Sequence, residues 1–316
     1  MLKVLTWNLF LGAYLGAVYD VLRDGDGDGL ASLPEAVSAI YHDGDPPGIV
    51  QNTAFERRAQ LVAEDVVAHA PDVIGLQEAA RWEVRDPAAP DTPAAIVDHL
   101  EILEAALASR GAPYQRAVTI QVGDVELPGR DGRLIRLSNR LAILARDAVS
   151  RPRSGTFQAA MPIEAPLGTF GLTRGWASVD LPGATRFFTT HLEDAGPHGS
   201  RSVQQQQAVE FVEEIDRWDG SAIVSGDFNA RPGTVTYDTL LAAGLTDAWS
   251  ALHPAANGFT CCRPAPLTDP AARLRRRIDL VLVRGAIAPV NVAVVGDFRH
   301  GRWPSDHAGV AASLML

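Results

Sequence analysis

Two patterns of apolar residues alternate along this chain. Short runs rich in Val, Ile and Leu are typical of buried strands, and segments in which apolar residues return every three or four positions indicate helices. The predicted strands are residues 3–9, 72–76, 134–144, 184–190, 221–225, 278–283, 290–295 and 308–314. The predicted helices are residues 54–69, 94–109 and 200–218.

Some predicted strands follow one another with no helix between them. This holds for residues 172–190 and 278–295, and it implies antiparallel pairing in both places. The sequence therefore predicts a mixed α/β protein with more strand than a simple doubly wound sheet needs. No Pro/Gly/Ser-rich linker or internal repeat divides the chain, so we expect a single domain over residues 1–316.

Composition limits the classes of partner. Acidic residues outnumber basic ones, 38 to 28, so the surface should repel a polyanion unless cations or a local basic patch intervene. No apolar stretch approaches the ~20 residues of a membrane span. We expect a soluble monomer, either cytoplasmic or exported after removal of a leader. The only cysteines, Cys261 and Cys262, are adjacent, which seldom permits a disulfide, so we expect them to be packing residues.

An acidic loop near the N-terminus matches the pattern of a calcium-binding loop over residues 24–35. Its candidate ligands are Asp24, Asp26, Asp28, Leu30 through its carbonyl, and Glu35. Residues 13–23 and 34–41 are expected to form the flanking helices of an EF-hand-like insertion over residues 13–42, in which Ca²⁺ has a structural role. The alternative is a flexible Asp/Gly loop that binds no ion.

Polar side chains cluster at or next to the ends of several predicted strands. They are Asn8, Glu78, His191, Asp227, Asn229, Asp279, Asp306 and His307. Acids, amides and histidines that converge at one rim are what a metal-assisted hydrolytic site requires. Each has a structural alternative: a histidine at a strand end can be a packing residue, an Asp-x-Asn can be a turn, and Asp279 can form a simple salt bridge.

At these residues the chain resembles the endonuclease/exonuclease/phosphatase superfamily, which includes pancreatic-type DNases, abasic-site endonucleases, neutral sphingomyelinases and inositol-polyphosphate phosphatases. The matching motifs, in the superfamily's order, are Thr6-Trp7-Asn8, Gln77-Glu78, Thr190-His191-Leu192, Ser225-Gly226-Asp227-Phe228-Asn229, Arg277-Ile278-Asp279 and Ser305-Asp306-His307. Together they extend from residue 6 to residue 307. The resemblance implies a sandwich of two mixed β-sheets flanked by helices, with the site at one edge.

The resemblance also implies a catalytic Mg²⁺ or Mn²⁺ site. Glu78, with help from Asn8 and Asp306, would hold the ion against a phosphate oxygen, because a hard cation prefers oxygen ligands. The other implied roles concern water attack on phosphorus. His307 would be the general base and Asp279 would orient it.

Three further residues would handle the nucleophile and the phosphoryl group. Asp227 and Asn229 would position them, and His191 would donate a hydrogen bond to the phosphoryl oxygens. Asn139 falls where many relatives keep a polar site residue, so we include it.

Two more features are candidates for substrate binding. Residues 273–277 contain four arginines, and Arg277 next to the Asp279 motif could grip a phosphate; the alternative is an exposed, solvated loop. Trp303 could form an aromatic wall of the pocket, or it could simply pack.

The shared machinery indicates the reaction class better than the substrate. The favoured hypothesis is a Mg²⁺-dependent phosphodiesterase acting on a small-molecule or lipid-headgroup diester. A DNase-like endonuclease is the first alternative, which makes nucleic acid a possible partner, and a phosphomonoesterase is the second. A non-catalytic calcium-binding or interaction protein would be expected to lack at least one core residue, and all are present.

Overall fold

The computed structural model describes residues 1–24, 29–89, 91–165, 168–196 and 199–316. The strands are β1 (Leu2–Asn8), β2 (Val73–Gln77), β3 (Arg81–Arg85), β4 (Ala95–Asp98), β5 (Gln115–Pro128), β6 (Leu134–Ala145), β7 (Ser150–Thr156), β8 (Met161–Ala165), β9 (Gly168–Leu172), β10 (Gly175–Leu181), β11 (Thr185–His191), β12 (Ser221–Asp227), β13 (Thr246–Asp247), β14 (Asp279–Arg284), β15 (Ala288–Val295) and β16 (Gly309–Met315). The helices are α1 (Gly16–Asp24), α2 (Leu33–Ile40), α3 (Ile49–Thr53), α4 (Phe55–His69), α5 (His99–Ala108), α6 (Arg201–Asp216), α7 (Val235–Ala242) and α8 (Ala248–Leu252), with a short 3-10 helix at Gly29–Ser32.

Most strands belong to two mixed sheets. The first has the order β15-β16-β1-β2-β6-β3-β4, with β5 on the other edge of β6, and the second has the order β13-β14-β12-β11-β10-β7. Strands β1 and β2 are parallel, as are β11 and β12, and the other pairs are antiparallel. Strands β8 and β9 form a separate hairpin. The predicted pair of mixed sheets is confirmed.

The apolar core occupies three layers. Between the sheets, Val4 and Ile143 of the first sheet pack with Phe187 and Ile223 of the second. On the outer side of the first sheet, the core includes residues of α4 and α5, and on the outer side of the second it includes residues of α6 and α7. The arrangement is therefore helix, sheet, sheet, helix, in which each sheet buries both faces.

The helices over residues 54–69 and 200–218 are confirmed as α4 and α6, but the predicted helix over residues 94–109 begins too early. Residues Ala95–Asp98 form β4, and α5 starts at His99. The carboxylate of Asp98 accepts hydrogen bonds from the backbone N–H groups of Leu100 and Glu101, at 2.9 and 3.3 Å. Such an N-cap fixes the first turn of a helix, so the segment before it is free to pair as a strand.

The predicted antiparallel pairing is confirmed for β10 with β11 and is wrong for β14 with β15. Strand β14 pairs with β12 in the second sheet, whereas β15 pairs with β16 in the first. Gly285, at φ 86°, begins the connection between the sheets. Both strands contribute buried valines to the core between the sheets. These valines meet in the core because β14 and β15 lie on opposite sides of it.

The segment between β1 and α3 carries the flanking helices of the predicted calcium loop. Helices α1 and α2 are present near the predicted positions and pack against β3, β5 and β6. Asp26 and Asp28 lie outside the described residues, and so do the side chains of Asp24 and Leu30. The Glu35 side chain is 69% exposed and lies 3.4 Å from Arg130. No helix among the described residues is long and apolar enough to cross a membrane.

Candidate functional site

Strand register brings the predicted site residues to one edge of the two sheets. In the second sheet, His191 at the end of β11 is opposite Asp227 at the end of β12, and Asp227 is opposite Asp279 at the start of β14. In the first sheet, Asn8 at the end of β1 is opposite Gln77, directly before Glu78. The parallel pairs deliver their carboxyl ends to the same rim, so residues distant in sequence become neighbours.

His307 is held at both its backbone and its ring. Its Nδ1 lies 2.8 Å from Oδ2 of Asp279, and its backbone N–H donates to Oγ of Ser305 at 3.2 Å. Trp7 Nε1 donates to the His307 carbonyl at 3.3 Å. Because Asp279 accepts from Nδ1, the proton of a neutral His307 ring lies on Nδ1. The Nε2 atom, 3.8 Å from Oδ2 of Asp227, is then free to accept a proton.

Asp227 is fixed by two donors. Its Oδ2 accepts from Nδ2 of Asn8 at 3.0 Å, and its Oδ1 accepts from the backbone N–H of Asn229 at 2.9 Å. Asn229 has φ 51°, in the left-handed region that asparagine tolerates better than most residues. Its amide donates to the Leu192 carbonyl at 3.0 Å and lies 3.3 Å from Nε2 of His191. These contacts leave Asp227, Asn229 and His191 little freedom to move.

Arg174, which the sequence analysis did not single out, lies against His191. Its Nη1 is 3.1 Å from Nδ1 of His191, and its guanidinium forms an ion pair with Glu193 at 3.3 Å. Burial, together with the charges of Arg174 and His307, holds the pKa of His191 well below its ordinary value. These effects favour the neutral form of the His191 ring. Arg174 belongs to no motif. Its position directly before β10 is the one sequence feature that would place it at this edge of the sheets.

Glu78 and Asp306 form the acidic side of the centre. Oε2 of Glu78 accepts from the backbone N–H of Leu11 at 2.8 Å. Oδ2 of Asp306 accepts from the hydroxyl of Tyr14 at 2.9 Å, and Oδ1 from Oγ of Ser305 at 3.3 Å. Tyr14 is a second residue that the sequence analysis missed, because it lies in the segment interpreted as part of a calcium-binding insertion.

The centre carries more negative charge than its own side chains neutralise. Burial and the charge of Asp279 raise the pKa of Asp227 to about 7, and burial and the charge of Glu78 raise the pKa of Asp306 to about 6. Burial opposes a charge on His307, but the nearby carboxylates, Asp279 foremost, outweigh it and raise the pKa of His307 well above its ordinary value. A bound cation would relieve this excess of negative charge.

The residues present fit a hard divalent cation. Ligand atoms of Asp227, Asp279 and His307 lie within 4.8 Å of one another. Oδ1 of Asp279 is buried and has no hydrogen-bond partner among the described residues. Carboxylate oxygens are the ligands that Mg²⁺ and Mn²⁺ prefer. Asn8 donates to Asp227 through Nδ2 and accepts from the N–H of Phe10 through Oδ1, whose second lone pair is left for a cation.

Three candidates remain, Arg277, Trp303 and Asn139. Arg277 forms a buried ion pair with Asp247 at 2.5 Å and donates to Ser250, so its guanidinium is already engaged within the fold, and its grip on a substrate phosphate stays a prediction. Trp303 packs on the guanidinium of Arg263, at 3.9 Å from ring centroid to Cζ, so the packing alternative holds for the described contacts. Asn139 lies on β6 opposite Gly123, and its Oδ1 is buried with no partner among the described residues.

The two adjacent cysteines lie beside the His307 ring. A cis peptide bond links Cys261 to Cys262 and brings their Cα atoms to 3.1 Å. Sγ of Cys262 lies 3.6 Å from Nε2 of His307, and Arg276 lies against both sulfurs. The pair therefore forms part of the wall beside the His307 ring.

Comparison with known proteins agrees with this geometry. The model of the Endonuclease/Exonuclease/phosphatase family matches residues 5–307. No curated protein matches the chain in sequence. Among solved structures, similar folds include an endonuclease/exonuclease/phosphatase family protein from Leptotrichia buccalis (14% identity, 100% of each chain covered, TM-score 0.60) and a mannosyl-6-phosphatase from Bacteroides thetaiotaomicron (17%, 100% of each, 0.58). A third is D. rerio TDP2 complexed with a single-strand DNA product (18%, 100% of this chain and 99% of that chain, 0.55).

Proposed function

This chain belongs to the endonuclease/exonuclease/phosphatase family, and we propose that it is a Mg²⁺-dependent phosphodiesterase acting on a small-molecule or lipid-headgroup diester. The family acts on phosphoesters and generally uses divalent metals. The observation that carries the proposal is the buried Asp279–His307 pair at 2.8 Å, with its free Nε2 turned towards Asp227. A histidine oriented by a carboxylate next to further acids is the arrangement of a general base at a metal-assisted site.

Glu78 and Asp306, assisted by the amide oxygen of Asn8, would hold Mg²⁺ or Mn²⁺. When bound, the ion would supply Lewis-acid stabilisation of charge on a phosphate oxygen. It would also offset part of the negative charge around His307. Since that charge is what raises the pKa of His307, the bound ion favours the neutral imidazole that a base requires.

In the proposed reaction, Nε2 of His307 takes a proton from the attacking water. The imidazolium that forms is stabilised by Asp279, which also keeps the ring in the productive orientation. Asp227 lies on the Nε2 side of the ring and orients the water. These groups are fixed in advance by backbone and side-chain hydrogen bonds, so little reorganisation accompanies the proton transfer.

His191, with Asn229 beside it, would handle the phosphoryl oxygens. Neutral His191 retains one N–H, which would donate to an oxygen on which negative charge builds. The amide of Asn229, 3.3 Å from the His191 ring, would keep that ring in position. Arg174 adds a positive charge behind His191. Its ion pair with Glu193 keeps the guanidinium in place when no phosphate is present.

The net charge of −10 favours a small substrate over a long polyanion. The buried position of Arg277 strengthens this preference, because one arginine of the basic cluster at residues 273–277 is used inside the fold. A DNase-like activity is the alternative, and the DNA product bound to D. rerio TDP2 shows that a protein of this fold can act on nucleic acid.

We also propose that Ca²⁺ occupies the loop over residues 24–35 in a structural role. The spacing of the candidate oxygen ligands along this loop supports the proposal, and so do helices α1 and α2 on either side of the loop. The ion would link two helices that cover one end of the first sheet. Calcium titration monitored by calorimetry, with Glu35→Gln as the variant, tests it. Equal heats for both proteins would count against the site.

The proposed activity is tested by plasmid nicking and by hydrolysis of a chromogenic diester, bis(p-nitrophenyl) phosphate, both in Mg²⁺. EDTA and His307→Ala are the controls. We expect cleavage of the small diester alone, and no cleavage in either control. Cleavage of both substrates would make the nuclease the better assignment. Cleavage of neither by the wild-type protein would overturn the phosphodiesterase assignment and leave the phosphomonoesterase and the non-catalytic binding protein as the alternatives.

A further inference from the structure

A cavity of about 130 Å³ lies next to the candidate site, and its interior is apolar. Its floor is one face of the antiparallel pair β5–β6, where Val125 is opposite Leu137. Its roof is the segment before α3, which contributes Val18 of α1 and Val37 of α2. We call this cavity the apolar pocket. It lies between the first sheet and helices α1 and α2.

One end of the apolar pocket belongs to the candidate site. Glu78 and Arg174, which border the metal and phosphoryl positions, are also lining residues of the pocket. Asn139 lies at the same end, and its Oδ1 is a buried acceptor with no partner among the described residues. The remaining acidic lining residue, Asp124, is directed away to an ion pair with Arg136. The pocket is therefore mainly apolar, and Glu78 and Arg174 mark the end at which it meets the catalytic centre.

The size and chemistry of the pocket define a class of occupant. An apolar cavity of about 150 Å³ holds a benzene ring, so this one suits an aryl ring or a short alkyl chain. Most of its described walls are Leu, Val and Ile, which offer no hydrogen bonds. A sugar or a second phosphate would leave its polar groups unpaired there, which is costly.

We propose that the apolar pocket binds the hydrocarbon substituent of the phosphate ester whose phosphoryl group lies in the candidate site, at the end of the pocket marked by Glu78 and Arg174. This inference rests on the proposed function and deepens it, because it specifies the organic part of the substrate. A compound with a phosphoryl group and an attached aryl or short alkyl group occupies both places at once. The pocket selects such esters over those with a small or polar substituent.

The test compares two non-hydrolysable ligands, phenylphosphonate and methylphosphonate, titrated by calorimetry into the Mn²⁺-loaded protein. They share the phosphoryl group and differ in the part that would enter the pocket. We expect phenylphosphonate to bind about tenfold more tightly or better, since burying a ring-sized apolar group gains at least that much. Binding, unlike turnover, is measurable whatever the reaction is.

Two variants fill the pocket from its β5 wall, and unchanged binding of methylphosphonate by both checks that the phosphoryl site is intact. Val125→Phe adds a ring to the floor, and Gly123→Leu adds a side chain at a position where a Cβ would meet only the Cβ of Asn139, at 3.6 Å. In both we expect the preference for phenylphosphonate to fall to about one. Val290→Phe makes the same substitution at an exposed strand position elsewhere, and it should keep the wild-type preference.

The outcomes separate this inference from the proposed function. If the wild-type protein binds both phosphonates equally, the apolar pocket does not take the substituent, although a phosphoryl site exists. If it binds neither, the proposed phosphoryl site fails and the pocket inference fails with it. A phenyl preference that survives both filling variants, with their folds intact by circular dichroism, would also overturn the inference.

Discussion

Removing the charge of Asp279 should disable the general base while leaving the fold and the proposed metal ligands Glu78 and Asp306 in place. Asp279→Asn keeps the size of the side chain but removes the negative charge that lies 2.8 Å from Nδ1 of His307. At an effective dielectric constant of ~20, two unit charges about 4 Å apart interact by about 4 kcal/mol. This is the stabilisation that the imidazolium loses during water activation, and it corresponds to about a 10³-fold lower rate.

The pH dependence of the rate gives a second test of the same variant, because the direction of its change is also predicted. Asp279 is the strongest of the carboxylates that raise the pKa of His307, so its replacement lowers that pKa. Activity requires neutral His307 and rises with pH as the proton is lost. The acidic limb of the pH–rate profile should therefore move to lower pH in Asp279→Asn, although the rate at the plateau is lower.

The assay is hydrolysis of bis(p-nitrophenyl) phosphate at saturating Mg²⁺ over a range of pH. Asp43→Asn is the matched control, because Asp43 pairs with Arg133 in a partly exposed ion pair away from the centre. A loss of kcat below tenfold, or an acidic limb that stays in place or moves to higher pH, would refute this account of Asp279.

Three further predictions concern the metal, the Arg174–Glu193 ion pair and Arg277. Because burial, with the charge of Glu78, raises the pKa of Asp306 to about 6, the metal-free fold loses stability as pH rises from ~4 towards that value. Mg²⁺ should therefore raise the melting temperature more at pH 7.5 than at pH 5 in scanning calorimetry, and equal shifts would argue against a metal beside this carboxylate. Arg174→Met removes the ion-pair partner of buried Glu193 and should lower the free energy of unfolding in urea by about 3–5 kcal/mol. Most of this loss should be recovered when Glu193→Met is added. A loss below ~1 kcal/mol would show that the pair is dispensable for stability. Arg277→Gln should lower the stability of the fold and leave KM unchanged, because Arg277 forms its ion pair with Asp247. A raised KM at unchanged stability would instead support a role of Arg277 in binding phosphate.

Much of the candidate site could be predicted from the sequence because strand ends fix where its residues go. Asp227 ends the strongly apolar run of β12, and the parallel neighbour β11 ends at His191 on the same edge of the sheet. Motif order then links Asp279 to the same rim through β14. Local patterns suffice for such residues, since each is attached to an element that the hydrophobic pattern already defines.

Arg174 and Tyr14 could not be predicted in the same way. Arg174 reaches His191 only because β10 pairs with β11 in a particular register, and Tyr14 reaches Asp306 across 292 positions of sequence. Neither residue lies in a motif. Their partners are determined by long-range packing, which a local pattern does not encode.

Strand β5 and the path from β14 to β15 show two further limits. Residues Gln115–Pro128 alternate between exposed and half-buried positions and carry several polar side chains, so their apolar signal is weak. The chain crosses from one sheet to the other after β14, and short loops are equally compatible with a hairpin. Sequence pattern therefore indicated the strands better than it indicated their partners.

The most direct test of the central hypothesis compares wild-type protein with His307→Gln for both Mg²⁺ binding and turnover of bis(p-nitrophenyl) phosphate. Glutamine cannot accept the proton, but it leaves Glu78 and Asp306 in place. We predict that Mg²⁺ binding by calorimetry is retained while kcat falls by about 10²–10⁴-fold. Turnover near the wild-type rate in His307→Gln would contradict the assignment of His307 as the base.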